Sequence, residues 1–412
     1  MTTAVPHDAY AALRFPNFRW FVASTIAMTL AAQVQGTVVA WQVYAMTHDP
    51  LSLGLIGLAE ALPFISVALF AGHAADRASR QRISVAALAV LLACSMALLG
   101  LTARPLPGRG AQLAAIYVVI VVSGLARSFL QPARTALGAE LVPRDVYANA
   151  VAWRSSSWQL AAVLGPALGG VLYGFANATV AYAVDVALMA AALGCMAAIA
   201  HAPRAAGPAG SIRESLGSGL RFVMGNQVIL GALTLDLFSV LFGGAVALLP
   251  IFAAEILHAG PQGLGLLRAA PAAGAVVMSL LLAHRRPFRR AGRALLTAVA
   301  LFGACMVGFG LSTSFPLSLA LLAASGMADT VSVVVRGTLL QLLTPTHLLG
   351  RVSAVNSIFI GSSNEIGAFE SGVAAKLVGA VPSVVLGGLA TLGVVAATAV
   401  KAPALRRLRE IG

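Results

Sequence analysis

Residues 51–101 read LSLGLIGLAEALPFISVALF, AGHAADRASRQRI and SVAALAVLLACSMALLGL, that is, two apolar runs with a short charged segment between them. The charged segment, residues 71–83, contains Asp76, Arg77, Arg80 and Arg82. Each apolar run is close to the ~20 residues that an α-helix needs to cross the ~30 Å hydrocarbon core of a bilayer. The stretch therefore predicts two membrane-spanning helices joined by a short charged loop.

The whole chain has the same character. Of its 412 residues, 59% are hydrophobic and 10% are charged, whereas a soluble domain is about 25% charged. We therefore expect an all-α polytopic membrane protein rather than two or three soluble domains. The apolar runs predict twelve spans, at about 19–45, 51–71, 83–102, 112–133, 148–174, 178–200, 227–254, 262–284, 292–312, 316–338, 352–376 and 381–400.

The basic residues are distributed unevenly between the two sides of these spans. With the N-terminus placed inside, 22 of the 27 Lys and Arg residues fall in inner segments and three fall in outer loops. Such a bias sets membrane orientation, so both termini and the 71–83 loop are expected to be cytoplasmic. The net charge of +13 is explained by these loops, and nucleic acid is not expected as a partner.

The chain divides at residues 201–226, which begin rich in Pro, Gly and Ala and end in the amphipathic piece SIRESLGSGLRFVM. We expect a six-helix bundle over 1–200, a cytoplasmic linker with an amphipathic helix over 201–226, and a second six-helix bundle over 227–412. A shift of 202 residues aligns SGLARSFLQPARTALGAELVP with SGMADTVSVVVRGTLLQLLTP, which indicates duplicated halves, as in transporters that bind substrate between repeats. The register places Arg127 opposite Asp329, which suits two halves facing one cavity, although both residues could simply pack at the interface.

The charged loop resembles a signature of the major facilitator superfamily, G-x-x-x-D-R-x-G-R-[KR]-[KR]. Gly72, Asp76, Arg77 and Arg80 match it, while Ser79 and Gln81 depart from it. The resemblance implies twelve transmembrane helices in two pseudo-symmetric bundles, and a cytoplasmic gate in which Asp76 stabilises the outward-open state. The alternative is that the loop serves only as a topology signal.

A second match lies in the fifth span, where Gly165, Pro166, Gly169 and Gly170 resemble the G-x-x-x-G-P-x-x-G-G motif of exporters in this superfamily, with Ala161 in place of the first glycine. The resemblance implies antiport, whereas ordinary small-residue helix packing is the alternative. Further stretches, such as LGLLRAAPAAGA and LLGRVSAVNSIFIGSSNEIGAFESGVAA, are similar to the bacterial branch that includes the enterobactin (siderophore) exporter and macrolide efflux proteins.

This resemblance implies a secondary transporter in the bacterial inner membrane that exports a small amphipathic molecule, siderophore or drug-like, in exchange for protons by rocker-switch alternating access. A lipid or lysolipid flippase, or an uncoupled facilitator on the same fold, is the alternative. A primary pump is not expected, because the phosphate loop is absent from the sequence. An enzyme is not expected either, because the seven histidines form no His-x-x-x-His pattern and no serine-nucleophile or paired-aspartate motif stands out. No cofactor or metal is expected, and the protein is expected to be a monomer in the lipid bilayer.

Ionisable residues inside spans are costly and commonly face a cavity or a partner. The coupling candidates are Asp236 and Asp329, followed by Glu60 and Glu365. The cationic candidates for the cavity are Arg127, Arg268 and Arg336. A structural Arg–carboxylate pair is the alternative for each of them, and Asp185 is expected to be structural. Seven polar and aromatic residues could line the cavity: Gln33, Gln35, Trp41, Trp158, Gln159, Asn356 and Asn364.

Overall fold

A computed structural model describes residues 8–77, 79–200, 212–243, 245–284, 290–345 and 348–408, and every regular element in these ranges is a helix. The first group of helices is α1 (Pro16–Thr47), α2 (Pro50–Arg77), α3 (Arg80–Ala103), α4 (Arg109–Glu140), α5 (Tyr147–Phe175) and α6 (Ala178–Ala197). These are followed by α7 (Ile212–Gly225), α8 (Gln227–Phe242), α9 (Ala245–Ile251), α10 (Gly260–Ala283), α11 (Ala291–Leu311), α12 (Phe315–Leu343), α13 (Leu349–Val378), α14 (Ala380–Lys401) and α15 (Pro403–Arg407).

Ten of the helical segments in the described ranges are long and apolar enough to cross a membrane, which confirms the polytopic class. The second and eleventh predicted spans are occupied by α2 and α13, which are long helices but are not among these ten. Helix α13 contains four ionic residues, namely Arg351, Glu365, Glu370 and Lys376. Several helices extend beyond the predicted spans, and α4 continues through Arg134 to Glu140.

The seventh predicted span, 227–254, is not one continuous helix. Helix α8 ends at Phe242, α9 begins at Ala245, and a π-helical turn at Phe252–Ile256 completes the segment. The sequence has two consecutive glycines at 243 and 244, and glycine is the least favourable helix residue after proline. The predicted span itself is confirmed, since Gln227–Ile256 is long and apolar enough to cross a membrane, but apolar length alone did not show that its helix is interrupted at Gly243.

The helices pack in two groups. Helices α1–α6 pack on one another, helices α8–α14 do the same, and the main contacts between the groups are α2 with α13 and α5 with α10. Both contacts depend on glycine. A Cβ on Gly372 would lie 2.6 Å from Cα of Gly54, and a Cβ on Gly170 would lie 2.7 Å from Cα of Gly265. Small residues permit such close approach between membrane helices.

The amphipathic segment before the second group forms α7, whose Val223 is buried in a cluster with Ile229, Leu233 and Val352. The guanidinium of Arg351, at the start of α13, donates a 2.9 Å hydrogen bond to Oγ of Ser218 in α7. Helix α7 therefore packs on the second group of helices, while residues 201–211 of the predicted linker lie outside the described ranges.

Candidate functional site

A central cavity of about 580 Å³ lies between the two groups of helices, a volume within the range of small-molecule sites. Its walls come from α1, α2, α3 and α4 on one side and from α10, α11, α12 and α13 on the other, with the break between α8 and α9 as part of the lining. The charged residues of the lining are Glu60, Arg127, Arg268, Asp329 and Glu365. The repeat-related residues Arg127 and Asp329 thus face the same cavity from opposite groups.

On the first wall, Arg127 of α4 lies between two partners. Its Nη1 forms an ion pair with Oε1 of Glu60 at 3.0 Å, and its Nη2 donates to Oε1 of Gln35 at 3.2 Å. Glu60 comes from α2 and Gln35 from α1, so three helices are joined at this point. The arrangement gives the Arg127 guanidinium a partner at each of its two terminal nitrogens. The Arg127–Glu60 pair remains accessible from the cavity, since about a third of each of its side chains is exposed.

On the second wall, Arg268 of α10 reaches across to the first group and donates from Nη1 to the carbonyl oxygen of Gly36 in α1, at 3.0 Å. The other two charged side chains of this wall are carboxyls, Asp329 of α12 and Glu365 of α13. Among the described residues, neither carboxyl has a cation within 4.0 Å. The backbone of Glu365 packs on Gly57, beside Glu60 on α2, so the predicted candidates Glu60 and Glu365 meet where α2 and α13 cross.

Asp236 and Arg336 lie behind the second wall, not on it. Asp236 of α8 forms an ion pair with Arg336 of α12, and both side chains are less than 10% exposed. A small second cavity, lined in part by Asp236, Ser239, Asp329 and Ser332, lies beside the pair. Asp329 lines both cavities and is the charged residue that they share. Arg336 was predicted to be a cavity charge, but its side chain does not line the central cavity and is held instead in the buried pair with Asp236 of α8.

The two groups are also joined by polar contacts at the end of the bundle where α1 leads into α2. The hydroxyl of Tyr44 donates to Glu255, and Nζ of Lys376 lies 3.0 Å from Oδ1 of Asp49. Apolar residues of both groups pack beside them, among them Leu53, Leu248 and Phe252. Among the described residues, the polar contacts between the groups are these two and the contact of Arg268 with Gly36.

At the opposite end of the bundle, Arg80 at the start of α3 forms an ion pair with Glu140 at the end of α4, with Nη1 and Oε1 2.5 Å apart. Both residues belong to the first group. Of the four predicted gate residues, only Arg80 has a described side chain. The backbone of α2 extends through Gly72, Asp76 and Arg77, but their side chains lie outside the described part of the chain.

The exporter-like motif lies in α5, where its small residues face two helices. Gly165 and Gly169 pack on α1, and Pro166 and Gly170 pack on α10 of the other group. The motif thus forms one of the two main contacts between the groups. Its spacing alone could not have shown which helix each glycine faces.

Gln33, Gln35 and Asn364 line the cavity as predicted, whereas Trp41, Trp158, Gln159 and Asn356 do not contribute to its described wall. The pairing of Asp236 with Arg336 and the contacts of Tyr44 and Lys376 were not predicted from the sequence. For the contact of Lys376 with Asp49, the signal in the sequence was one isolated charge at each of two predicted span ends. No group of three or more His, Cys, Asp or Glu side chains in the described ranges could hold a metal ion.

The comparisons with known proteins agree with this architecture. Residues 7–410 match the family model described as transmembrane secretion effector. The enterobactin exporter of Citrobacter koseri is 27% identical over 343 residues, which are 82% of this chain and 80% of that protein. Among solved structures, a POT peptide transporter in complex with sulfate has a TM-score of 0.75 at 14% identity, covering 96% of each chain.

A bacterial homologue of the lysosomal transporter Spinster has a TM-score of 0.68 at 14% identity, covering 98% of this chain and 97% of the other. At these identities the structural likeness establishes the fold, while the family match covers nearly the whole chain. The protein is therefore a multi-pass membrane transporter that belongs to the transmembrane secretion effector family of the major facilitator superfamily.

Proposed function

We propose that this protein is a proton-coupled exporter of a small amphipathic molecule, of siderophore or drug-like type, that works by rocker-switch alternating access. The observation that carries the proposal is the charge balance of the central cavity, which is lined by three carboxyls and two guanidinium groups. The enterobactin exporters among its relatives support export and the substrate class.

The excess of carboxyls supports a role for protons. Unpaired charge is expensive inside a membrane protein, and in this cavity only Glu60 has a cation within 4.0 Å among the described residues. A proton is the smallest counter-ion that can neutralise Asp329 or Glu365 when no substrate is present. A substrate that brings its own positive or hydrogen-donating group would displace that proton, which couples the two movements.

The contacts between the groups support the alternating-access part of the proposal. In this proposal residues 1–200 and 227–412 form the two bundles that rock against each other. Tyr44 with Glu255 and Asp49 with Lys376 join them at one end, and the excess of arginine lies at the other end. By the positive-inside rule the joined end faces outward, so in this proposal the termini are cytoplasmic and these contacts close the outer side of the cavity. The protein is proposed to act as a monomer in the bacterial inner membrane.

The test uses purified protein in proteoliposomes that contain a pH-sensitive dye. An imposed proton gradient is combined with enterobactin or ethidium as probe, and proton and probe movement are followed together. We expect probe-dependent proton flux in the wild type. We expect the proton flux of Asp329→Asn to be at least ten-fold lower than that of the wild type, because this carboxyl lines both cavities. We expect Asp236→Asn to lose proton flux as well, because Asp236 is the other leading candidate for a coupling residue.

The control is Glu370→Gln, which lies on the same helix as Glu365 but does not line the central cavity. Wild-type proton flux retained by both aspartate variants would remove them as coupling sites. Probe movement without proton movement in the wild type would overturn proton coupling and favour the uncoupled facilitator, and stimulation by lysolipid under the same conditions would favour the flippase.

A further inference from the structure

Asp185 of α6 is a carboxyl that the cavity mechanism above does not use. It is completely buried in the first group of helices, behind α1 as seen from the cavity, and is not part of the cavity wall. Its Oδ2 accepts a 3.3 Å hydrogen bond from Nε2 of Gln35. Its Oδ1 is buried and has no hydrogen-bond partner among the described residues.

The direction of the contacts around Gln35 follows from chemistry. A guanidinium can only donate hydrogen bonds, so the atom of Gln35 that faces Arg127 must be the carbonyl oxygen Oε1. The amide nitrogen is then left on the other side, where it donates to Asp185 and to Oγ of Ser95. One glutamine therefore joins the buried carboxyl to the Arg127–Glu60 pair on the cavity wall.

The surroundings of Asp185 contain little that could balance a negative charge. Helices α1, α3 and α5 pack on α6. The polar groups that act on the carboxyl are Gln35 of α1 and Ser95 of α3, and Cys94 is the chain neighbour of Ser95. Tyr182 on α6 lies near the carboxyl, and Tyr173 of α5 lies near Tyr182. Arg127 is the cation that acts on it, from beyond Gln35. No cation lies within 4.0 Å of Asp185 among the described residues.

We infer that Asp185 is a positioning residue for the coupling chemistry: its carboxyl takes up and releases one proton during the cycle, and through Gln35 it sets how firmly Arg127 is held to Glu60. The inference rests on the proposed function and adds a site to it outside the cavity. The species exchanged is H⁺ alone. An ionised Asp185 receives a charge-assisted hydrogen bond from Gln35 and attracts Arg127, whereas a protonated Asp185 releases that attraction to Glu60.

The coupling must act in both directions, because linkage between two binding equilibria is reciprocal. An event at Glu60, such as protonation or displacement by a substrate, frees Arg127 to act on Gln35 and on Asp185 behind it. Because Oδ1 has almost no access to solvent in this conformation, the proton on Asp185 can exchange only when the helices of the first group rearrange. The protonation of Asp185 thus depends on whether Glu60 is paired with Arg127 at the cavity wall, although Asp185 does not contact the substrate.

The first measurement is infrared titration of purified protein in detergent, following the carbonyl band of protonated carboxyls between acidic and alkaline pH. We expect one titrating band that disappears in Asp185→Asn, and we expect its midpoint to move by at least one pH unit in Glu60→Gln, which leaves Asp185 in place but frees Arg127. The control Glu370→Gln should leave the band unchanged. A band that does not move in Glu60→Gln would overturn the link between the two sites.

The second measurement is proton flux driven by enterobactin in proteoliposomes. We expect Asp185→Asn, whose site lies outside the cavity wall, to keep probe exchange and to lose at least half of the protons that the wild type moves for each probe molecule. Equal proton counts in wild type and Asp185→Asn would overturn the inference. Absence of proton flux in the wild type itself would instead overturn the proposed function, and the infrared titration would still decide the link between Asp185 and Glu60.

Discussion

Substitution of Gly170 by alanine tests whether the contact between α5 and α10 holds one end of the transporter closed. A Cβ at this position would lie 2.6 Å from the carbonyl oxygen of Pro261 and 2.7 Å from Cα of Gly265. Both distances are about 0.8 to 1 Å shorter than an ordinary van der Waals contact. Both partners are backbone atoms, so no side chain can turn aside, and the two helices must move apart.

The energetic consequence can be worked out from the packing. Inserting a methyl group into a well-packed site costs about 1–3 kcal/mol. Because α5 and α10 belong to different groups, the clash is relieved in any state in which the groups separate at this end. Every 1.4 kcal/mol is a factor of ten in an equilibrium constant, so we expect the alanine variant to favour the separated state by about 5- to 150-fold.

The assay measures the distance between spin labels placed on exposed residues at this end, at Ala176 in the first group and Leu311 in the second, in a cysteine-free background. We expect Gly170→Ala to populate longer distances than the parent protein does. Gly194→Ala is the matched control, because a Cβ there meets no atom within 4 Å. Identical distance distributions and unfolding temperatures for the two alanine variants would refute the reasoning.

Two further predictions concern the ion pairs. Arg336→Met leaves Asp236 buried without its partner, and loss of one member of a buried pair typically costs about 3–5 kcal/mol, so the unfolding temperature of this variant in detergent should fall sharply. The double variant Arg336→Met with Asp236→Leu should recover most of that loss. Equal stability of the single and double variants would contradict the assignment of the buried pair. Lys376 is half exposed, with 52% of its side chain accessible, so Lys376→Met should cost at most about 1 kcal/mol. The same variant should nevertheless lengthen the label distance across that end, and an unchanged distance would show that the pair with Asp49 does not hold the groups together.

Sequence alone was sufficient for the class, most of the helix positions and the family of this protein. The reason is that these depend on local quantities: the length of an apolar run and motifs within a single loop or helix. The charged segment at 71–83 and the repeat at a spacing of 202 residues can be recognised in the sequence without knowledge of any contact between helices. The break at Gly243 was also local, because the pair of glycines at 243 and 244 is visible in the sequence.

Tertiary structure alone decided which charges are partners. Arg336 pairs with Asp236, which lies 100 positions earlier in the chain, and Arg127 pairs with Glu60 of another helix. A hydrophobic pattern shows that a residue lies within a span, but not which neighbouring helix it faces. The position of Gln35 between Arg127 and Asp185 follows from three helices packed together. The role of a charged side chain inside a membrane depends on the atoms within a few ångströms of it, and the packing of the helices determines which atoms those are.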